Sequence, residues 1–455
     1  MTRSVLIKRR RRRRQPISNI GFVLALLFHN HTIFRVDALT TTMSASTTNN
    51  NNGNNNDNNK NGIVAIVGSA NQDLTAYTSI LPQRGETVMG RSFTTCSGGK
   101  GANQARAAAA FSKPIEEEEE ESEQSLDYHT STTHLICRTG PDVFGRAILD
   151  TLQEARVQYD AATTVLPDSS ISSGVATIVV DETTGDNSII VTPGANQFLT
   201  PNDVEAALVQ LRPSVVATQL EIPLATACAA LQVASSSTLD ALTILNTAPA
   251  PTDPRALDDV WRYVDICIPN ETELRTLCGK SGSRRDDVDD DNDNDNDEEE
   301  DNENNEVEVQ LCQELLRTQP IRKAVVCTLG ARGAVVVERK SDNDNPNDDN
   351  DDDDKDEFIV TFVDAPADLP ARTEPIQDTI GAGDAFCGAL CSYLSSSLSS
   401  SSSSISLPQA AGMACGFASM SVRNRGATYP TWDEIPASLK LKRATTTTTQ
   451  QEETV

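Results

Sequence analysis

Asp378-Thr-Ile-Gly-Ala-Gly-Asp-Ala-Phe-Cys-Gly-Ala-Leu390 places one carboxylate, Asp384, directly after a Gly-Ala-Gly turn and at the head of an apolar segment. Glycines at 381 and 383 let the backbone bend until several N–H groups aim at one point. The helix expected from Asp384 to about Leu394 adds the partial positive charge of its N-terminus. A phosphoryl group suits that position, and a carboxylate beside it can take a proton from an attacking hydroxyl. Read alone, the stretch is equally an ordinary Gly-rich strand-to-helix turn with a capping acid.

The other end of the chain shifts that balance. Gly68-Ser-Ala-Asn-Gln-Asp73 follows Ile63-Val-Ala-Ile-Val67, an apolar run that reads as a buried strand. Gly98-Gly-Lys-Gly-Ala-Asn-Gln-Ala105 then leads into the helix former Arg106-Ala-Ala-Ala-Ala-Phe111. Open α/β sheets bind ligands at the C-terminal ends of their strands. Asn71, Asp73 and Asn103 are short hydrogen-bonders suited to sugar hydroxyls. Lys100 is not a Walker lysine, because the spacing GxxxxGK[ST] is absent.

Together these segments resemble the ribokinases of the PfkB-type carbohydrate kinase family. Further matches follow in that family's order: Gly140-Pro-Asp-x-Phe-Gly145, Gly194-Ala-Asn196, Gln219-Leu-Glu221, Asn246-x-Ala-Pro-Ala250, Pro269-Asn-Glu-Thr-Glu273 and Thr328-Leu-Gly-Ala-Arg-Gly333. The resemblance covers about 62–440 and implies ATP-dependent phosphorylation of D-ribose at its 5-hydroxyl. By resemblance, Asp384 is the general base, with Gly381, Ala382 and Gly383 forming the anion hole. The sugar falls to Asn71, Gln72, Asp73, Gly99, Lys100, Gly101, Ala102, Asn103 and Glu221, the Gly99-Lys100 contribution being through backbone. ATP falls to Asn270, Thr328, Leu329, Gly330, Ala331, Arg332, Gly333, Gly383, Asp384 and Cys415, and Mg²⁺ to Glu273 through water. A monovalent cation, K⁺, falls to Asp378, Ile380, Ser421, Asn424, Gly426 and Pro430. Two positions depart from the pattern: Pro430 stands where a hydroxyl is frequent, and Cys415 where His or Asn is usual. Kinases of deoxyribose, another sugar or a nucleoside remain alternatives, as does a catalytically silent sugar-binding module, which the joint presence of Asp384, the Gly-Ala-Gly turn, Glu273 and Asn103 disfavours. A homodimer joined through the lid is a further implication of the family.

The net charge of −28 is misleading, since half of the 66 acids sit in three blocks, 116–127, 286–308 and 341–357. Without these and the basic run near the N-terminus, charge is nearly balanced, so acidity does not describe the ligand. The blocks hold few apolar residues and read as solvated insertions (about 114–128, 281–308 and 341–357). Asp-x-Asp-x-Asp at 291–295 lacks the turn glycine and closing glutamate of an EF-hand. Nothing in this charge distribution indicates a nucleic-acid partner.

Residues 1–61 lie outside the expected domain. Lys8 to Arg14 is wholly basic, and the nine apolar residues Ile20 to Phe28 are too few to span a bilayer. With Val36-Asp-Ala38 they resemble a secretory-type leader, followed by an Asn/Thr-rich spacer. A nuclear-type basic cluster and a loosely constrained extension compete with that reading. Ten scattered cysteines without CxxC or a Cys/His cluster read as thiols in a reducing compartment. The family implies a cytoplasmic enzyme, also nuclear in some settings, while the leader leaves a plastid or other organelle open.

Apolar runs at Ile63–Val67, Val215–Leu220, Ala241–Leu245, Val264–Ile268 and Ala324–Cys327 alternate with helical segments. The expected fold class is α/β, a parallel central sheet flanked by helices in a Rossmann-type sandwich. The stretches 73–96 and 174–191 alternate like hairpins and supply the family's small β lid. Ser395–Ser406 reads as a loop, and 441–455 as a disordered tail. None of the four histidines, His29, His31, His129 and His134, stands where a base is needed, which leaves a carboxylate.

Overall fold

A computed structural model describes residues 62–111, 131–184, 186–280, 297–340, 358–366, 369, 376–399 and 405–441. The leader and most of the three acidic blocks lie outside these residues. Six strands run parallel in the main sheet: β1 (Ile63–Val67), β4 (Thr132–Ile136), β7 (Val215–Thr218), β8 (Leu242–Asn246), β9 (Ile266–Ile268) and β10 (Ala324–Thr328). Two antiparallel strands, β11 (Ala334–Arg339) and β12 (Phe358–Val363), close one edge, giving the order β12-β11-β10-β9-β8-β7-β1-β4.

Continuous apolar sequence is what a parallel sheet buried on both faces requires. Along β1, Val64 and Ile66 join a core with α1 (Lys100–Ala109), α2 (Val143–Glu154), α8 (Ala382–Leu398) and α9 (Leu407–Ser421). Ala65 and Val67 point the other way, into a core with α4 (Pro201–Leu211) and α5 (Leu224–Ala234). Further along the sheet, Cys267, Val325 and Cys327 pack on that second face against α6 (Glu271–Leu277) and α7 (Asp297–Thr318). A short helix, α3 (Ala161–Thr164), follows α2.

A second sheet, in the order β3-β2-β5-β6, is made of β2 (Asn71–Thr78), β3 (Ser92–Gly98), β5 (Gly174–Asp181) and β6 (Asn187–Thr192). Both expected hairpins are present, β2 with β3 and β5 with β6, and β2 joins them by pairing parallel to β5. The lid strand β2 begins four residues after β1 ends, and β3 runs directly into α1. The lid is therefore rooted at the C-terminal edge of the main sheet, with Asn71 and Asp73 on its first strand and Gly99 between β3 and α1.

Two expectations need correction. The acidic block assigned to 281–308 is not loop throughout, because α7 starts at Asp297. Glu308 is fully buried and ion-paired to Arg275 of α6, and Leu311, Cys312, Leu315 and Leu316 enter the core. The apolar 3.6-residue pattern of Leu311, Cys312, Leu315 and Leu316 outweighs the acidic composition before it. Likewise Ser395 and Ser396 are buried turns of α8 rather than loop, with Ser395 Oγ 2.8 Å from Ser214 Oγ. Deleting 286–296 is accordingly expected to shift Tm by no more than about 2 °C. Extending the deletion through Glu308 removes the first turns of α7 together with the partner of Arg275, and is expected to lower Tm well beyond that amount. Thermal denaturation of the two deletions checks the contrast.

Candidate active site

Asp384 sits in the first turn of α8, whose N-cap Gly381 adopts φ 77°, a conformation that favours glycine. A Cβ at Gly381 would also lie 2.7 Å from Ala427 Cβ, whereas at Gly383 it would meet nothing within 4 Å. The backbone here is thus clamped on one side and open on the other, as an anion pocket at a helix N-terminus requires. The carboxylate is buried, and both oxygens accept hydrogen bonds at 3.1 Å, Oδ2 from Asn103 Nδ2 and Oδ1 from Gln104 Nε2. Burial raises the Asp384 pKa; Lys100 and the two amides oppose that shift.

Four other charged groups act on this point. Burial pushes Asp73 on β2 up to about 7, helped by Glu221 and Asp384 and opposed by Arg106. Burial works against the Lys100 charge, yet Asp384, Glu221 and Glu273 together hold its pKa above the ordinary value. Glu273 is raised by burial and by Asp384, against the Asn270 N–H and Lys100. Glu221 Oε2 accepts from Ser69 Oγ (2.6 Å) and from the Lys100 N–H (3.0 Å). The result is a cluster of three carboxylates, Asp384, Glu221 and Glu273, acting on the Lys100 ammonium, with Asp73 near Glu221 and Asp384.

The Asp73 shift has a stability consequence. Folded Asp73 holds its proton up to about pH 7, whereas its ordinary value is 3.8. Between those values the folded state binds more protons than the unfolded chain, so this contribution to stability is lost as pH rises through about 7. Asp73→Asn removes the titration, and its Tm advantage over wild type is expected to be larger at pH 8 than at pH 5. Equal differences at both pH values would show that the buried carboxyl does not titrate there.

Asn270, just beyond β9, forms a parallel bridge with Thr328, the last residue of β10, with the Thr328 N–H 3.0 Å from Pro269 O. Asn270 and Glu273 also cap α6 reciprocally: Asn270 Oδ1 accepts from the Glu273 N–H (2.8 Å), and Glu273 Oε2 from the Asn270 N–H (2.9 Å). The turn from Gly330 to Arg332 links β10 to β11, with positive φ at Gly330 and Gly333. Gly333 packs against the end of β12, so a Cβ there would sit 3.0 Å from Asp364 Cα.

A model of the pfkB family carbohydrate kinases matches residues 63–434. The chain belongs to that family. It is 31% identical over 392 residues to a ribokinase of Schizosaccharomyces pombe, spanning 84% of this chain and 99% of the relative. A deoxyribokinase of Salmonella typhi is 28% identical over 382 residues, spanning 83% and 99%. Among solved structures, a ribokinase from Cryptococcus neoformans var. grubii in complex with ADP matches with TM-score 0.59 and 25% identity, covering 81% of this chain and 97% of that one.

In this PfkB-family kinase three of the residues expected around a cation, Asp378, Ile380 and Gly426, are joined by hydrogen bonds. Asp378 Oδ1 accepts from the Ile380 N–H and Oδ2 from the Gly426 N–H, both at 2.9 Å, which ties the segment before α8 to the segment after α9. Ser421 is buried, Asn424 is exposed, and Pro430 is buried in the wall of a cavity of about 300 Å³ with Arg106 and Trp432. Cys415 is buried in α9, its thiol pushed up to about 12 by burial and by Asp364. Asp364 thus neighbours both Gly333 and Cys415.

Several expected site residues have other duties. Gln72 is out of phase with Asn71 and Asp73, so the strand pleat directs it to the opposite face, where Nε2 donates to Cys96 O at 2.8 Å. Ala102 and Leu329 are 1% and 2% exposed and belong to the cores. Gly101 allows α1 to approach the loop after β1, since a Cβ there would lie 2.6 Å from Ser69 N. The Lys100 N–H is committed to Glu221 rather than open to a sugar. Asn71 Oδ1 accepts from Asn196 Nδ2 at 2.7 Å, and Arg332 is tied to Glu271 and Asn305. Sequence reasoning missed Gln104, which touches Asp384 from the position after Asn103. Only its place early in α1, directly after Asn103, could have indicated it.

Proposed function

We propose that this kinase transfers the γ-phosphoryl group of ATP to the 5-hydroxyl of D-ribose, giving D-ribose 5-phosphate and ADP. The observation that carries the reading is the buried Asp384 carboxylate, fixed by Asn103 and Gln104 beside the open backbone at Gly383. Asp384 takes the proton of the attacking hydroxyl, a modest task, because phosphoryl transfer depends mainly on positioning and charge stabilisation. The N–H groups of 381–384 and the α8 N-terminus receive the developing negative charge. Lys100, surrounded by acids, adds a positive charge facing the same place. Asp73, Asn103 and the lid backbone at Gly98–Gly99 hold the sugar. Gly98 leaves the space that the Asp73 carboxylate fills, since a Cβ there would overlap it.

Glu273 fits a magnesium site: like-charged with Asp384 and raised by burial, it would hold the ion through water, and the ion would neutralise phosphate charge. The backbone carbonyls of the two segments joined by Asp378 suit potassium, with Ile380, Ser421, Asn424 and Gly426 around them; Pro430 can offer only its carbonyl. Phe93 and Ile190 are exposed on one face of the lid, an apolar surface that a second copy would cover in a homodimer. Among the described residues no helix is long and apolar enough to cross a membrane; a cytoplasmic location rests on the family alone.

The deoxyribokinase relative, with nearly the same coverage as the ribokinase, favours deoxyribose as the second reading. ADP release coupled to a reporter, with ribose, deoxyribose, fructose and adenosine in turn, separates the two. Ribose is expected to have the highest kcat/KM, and a higher value for any other acceptor would reassign the substrate.

A further inference from the structure

Three buried amides, Gln104, Asn246 and Gln219, form a chain that ends on Asp384. Gln104 Nε2 donates to Asp384 Oδ1 at 3.1 Å and to Asn246 Oδ1 at 3.0 Å, while its own oxygen accepts from Gln219 Nε2. Gln104 and Gln219 are fully buried, and Asn246 is 9% exposed. The polarity of the chain is set from its far end. Asn246 Nδ2 donates to Ile268 O at 2.8 Å, and a backbone carbonyl can only accept. Asn246 must therefore turn its oxygen to Gln104, which must answer with its NH₂ group. That group has two hydrogens, and the second reaches Asp384. A Gln104 amide turned over would set an oxygen against both Asp384 and Asn246, leaving its nitrogen facing Gln219.

We infer that Gln104 is a positioning residue for the base, pinning one Asp384 oxygen with a donor whose orientation is locked by β8 and β9. The inference rests on the reading of Asp384 as general base. It bears on the proton: burial raises the Asp384 pKa, Lys100 and then the two amide donors oppose that, and Glu221, Asp73 and Glu273 are the like charges nearby. It also links the base to the main sheet. Gln104 stands on the second turn of α1, Asn246 ends β8, and Gln219 follows β7, so the base takes its orientation from α1 and from the C-terminal ends of two strands.

The test is kcat against pH for wild type, Gln104→Met and Gln104→Glu. Turnover needs ionised Asp384, so it is lost as pH falls through the Asp384 pKa, which sets the acidic limb. Gln104→Met keeps volume but removes the donor, and the limb is expected to move up by about one to two pH units, with KM for ATP and sugar changed less than about threefold. Gln104→Glu retains the acceptor for Gln219 and sets a second carboxyl against Asp384, so its limb should move at least as far. It decides the question where the Met variant does not fold. An unmoved limb in a folded variant overturns the inference, as does a rise in KM without a moved limb, which marks a purely structural residue. Asp384→Asn keeps the two ideas apart. If it is inactive while the limb of the Gln104 variants stays put, only the role of Gln104 falls. If it turns over like wild type, the base reading fails and this inference falls with it.

Discussion

Asp384→Asn is expected to lower kcat by about 10²–10⁴-fold, the scale for a lost general base, with the fold and sugar affinity close to wild type. Its surroundings explain why the fold should survive. The substitution replaces one acceptor oxygen by an NH₂ group, which cannot face another donor. Gln104 cannot turn to accommodate it, because Asn246 and Gln219 hold its amide. Asn103 can: its Oδ1 is buried without a partner, so a flipped amide offers that oxygen to the new nitrogen. The stability cost should therefore be no more than about 1–3 kcal/mol. Coupled ADP release gives kcat, and calorimetric titration with ribose gives the affinity. Activity within about threefold of wild type would remove Asp384 from the role of base.

Gly388→Ala should damage the enzyme nearly as much without touching any reacting group. Helices α1 and α8 cross here, and an added Cβ would overlap Gln104 O while lying 2.6 Å from Ala107 Cβ and 2.8 Å from Ala108 N. Two of those atoms are backbone, so no flexible side chain can give way. The helices must separate, and they carry the two halves of the site: Asn103 and Gln104 on α1, Asp384 on α8. Overpacking of this kind costs about 1–3 kcal/mol. A misplacement of about 1 Å at the chemistry can cost about 10²-fold in rate. The expected result is a lowered Tm together with a large loss of kcat. Gly383→Ala is the control for stability, since its Cβ meets open space and Tm should hold. A Gly388→Ala enzyme with wild-type turnover would mean that the α1–α8 crossing does not set the site.

Local chemistry made much of this protein legible in one dimension. Uninterrupted Ile/Val runs such as Ile63–Val67 specify strands buried on both faces, and a Gly-Ala-Gly turn before an acid specifies a helix start with a carboxylate in its first turn. Asn270-x-x-Glu273 carries its own capping box, so its position at the head of α6 needed no tertiary information. These signals depend on neighbours a few residues apart, which is why they survive in sequence alone.

What only the tertiary structure decided are relations across long separations. Gln104 donates to a carboxylate 280 residues away, and the direction of its amide depends on Asn246 and, beyond it, a carbonyl of β9. Asp73 titrates near 7 because folding encloses it and brings Glu221 and Asp384 near it. Ala102 and Leu329 sit inside binding motifs, yet packing turns their side chains into the cores. Glu308 ends an acidic run that composition assigns to solvent, yet its pairing with Arg275 and the apolar face of α7 bury it. Composition and spacing determine which groups are available. Burial, hydrogen-bond polarity and distance exist only once the chain has closed on itself, and they decide which of those groups are charged, oriented and in reach.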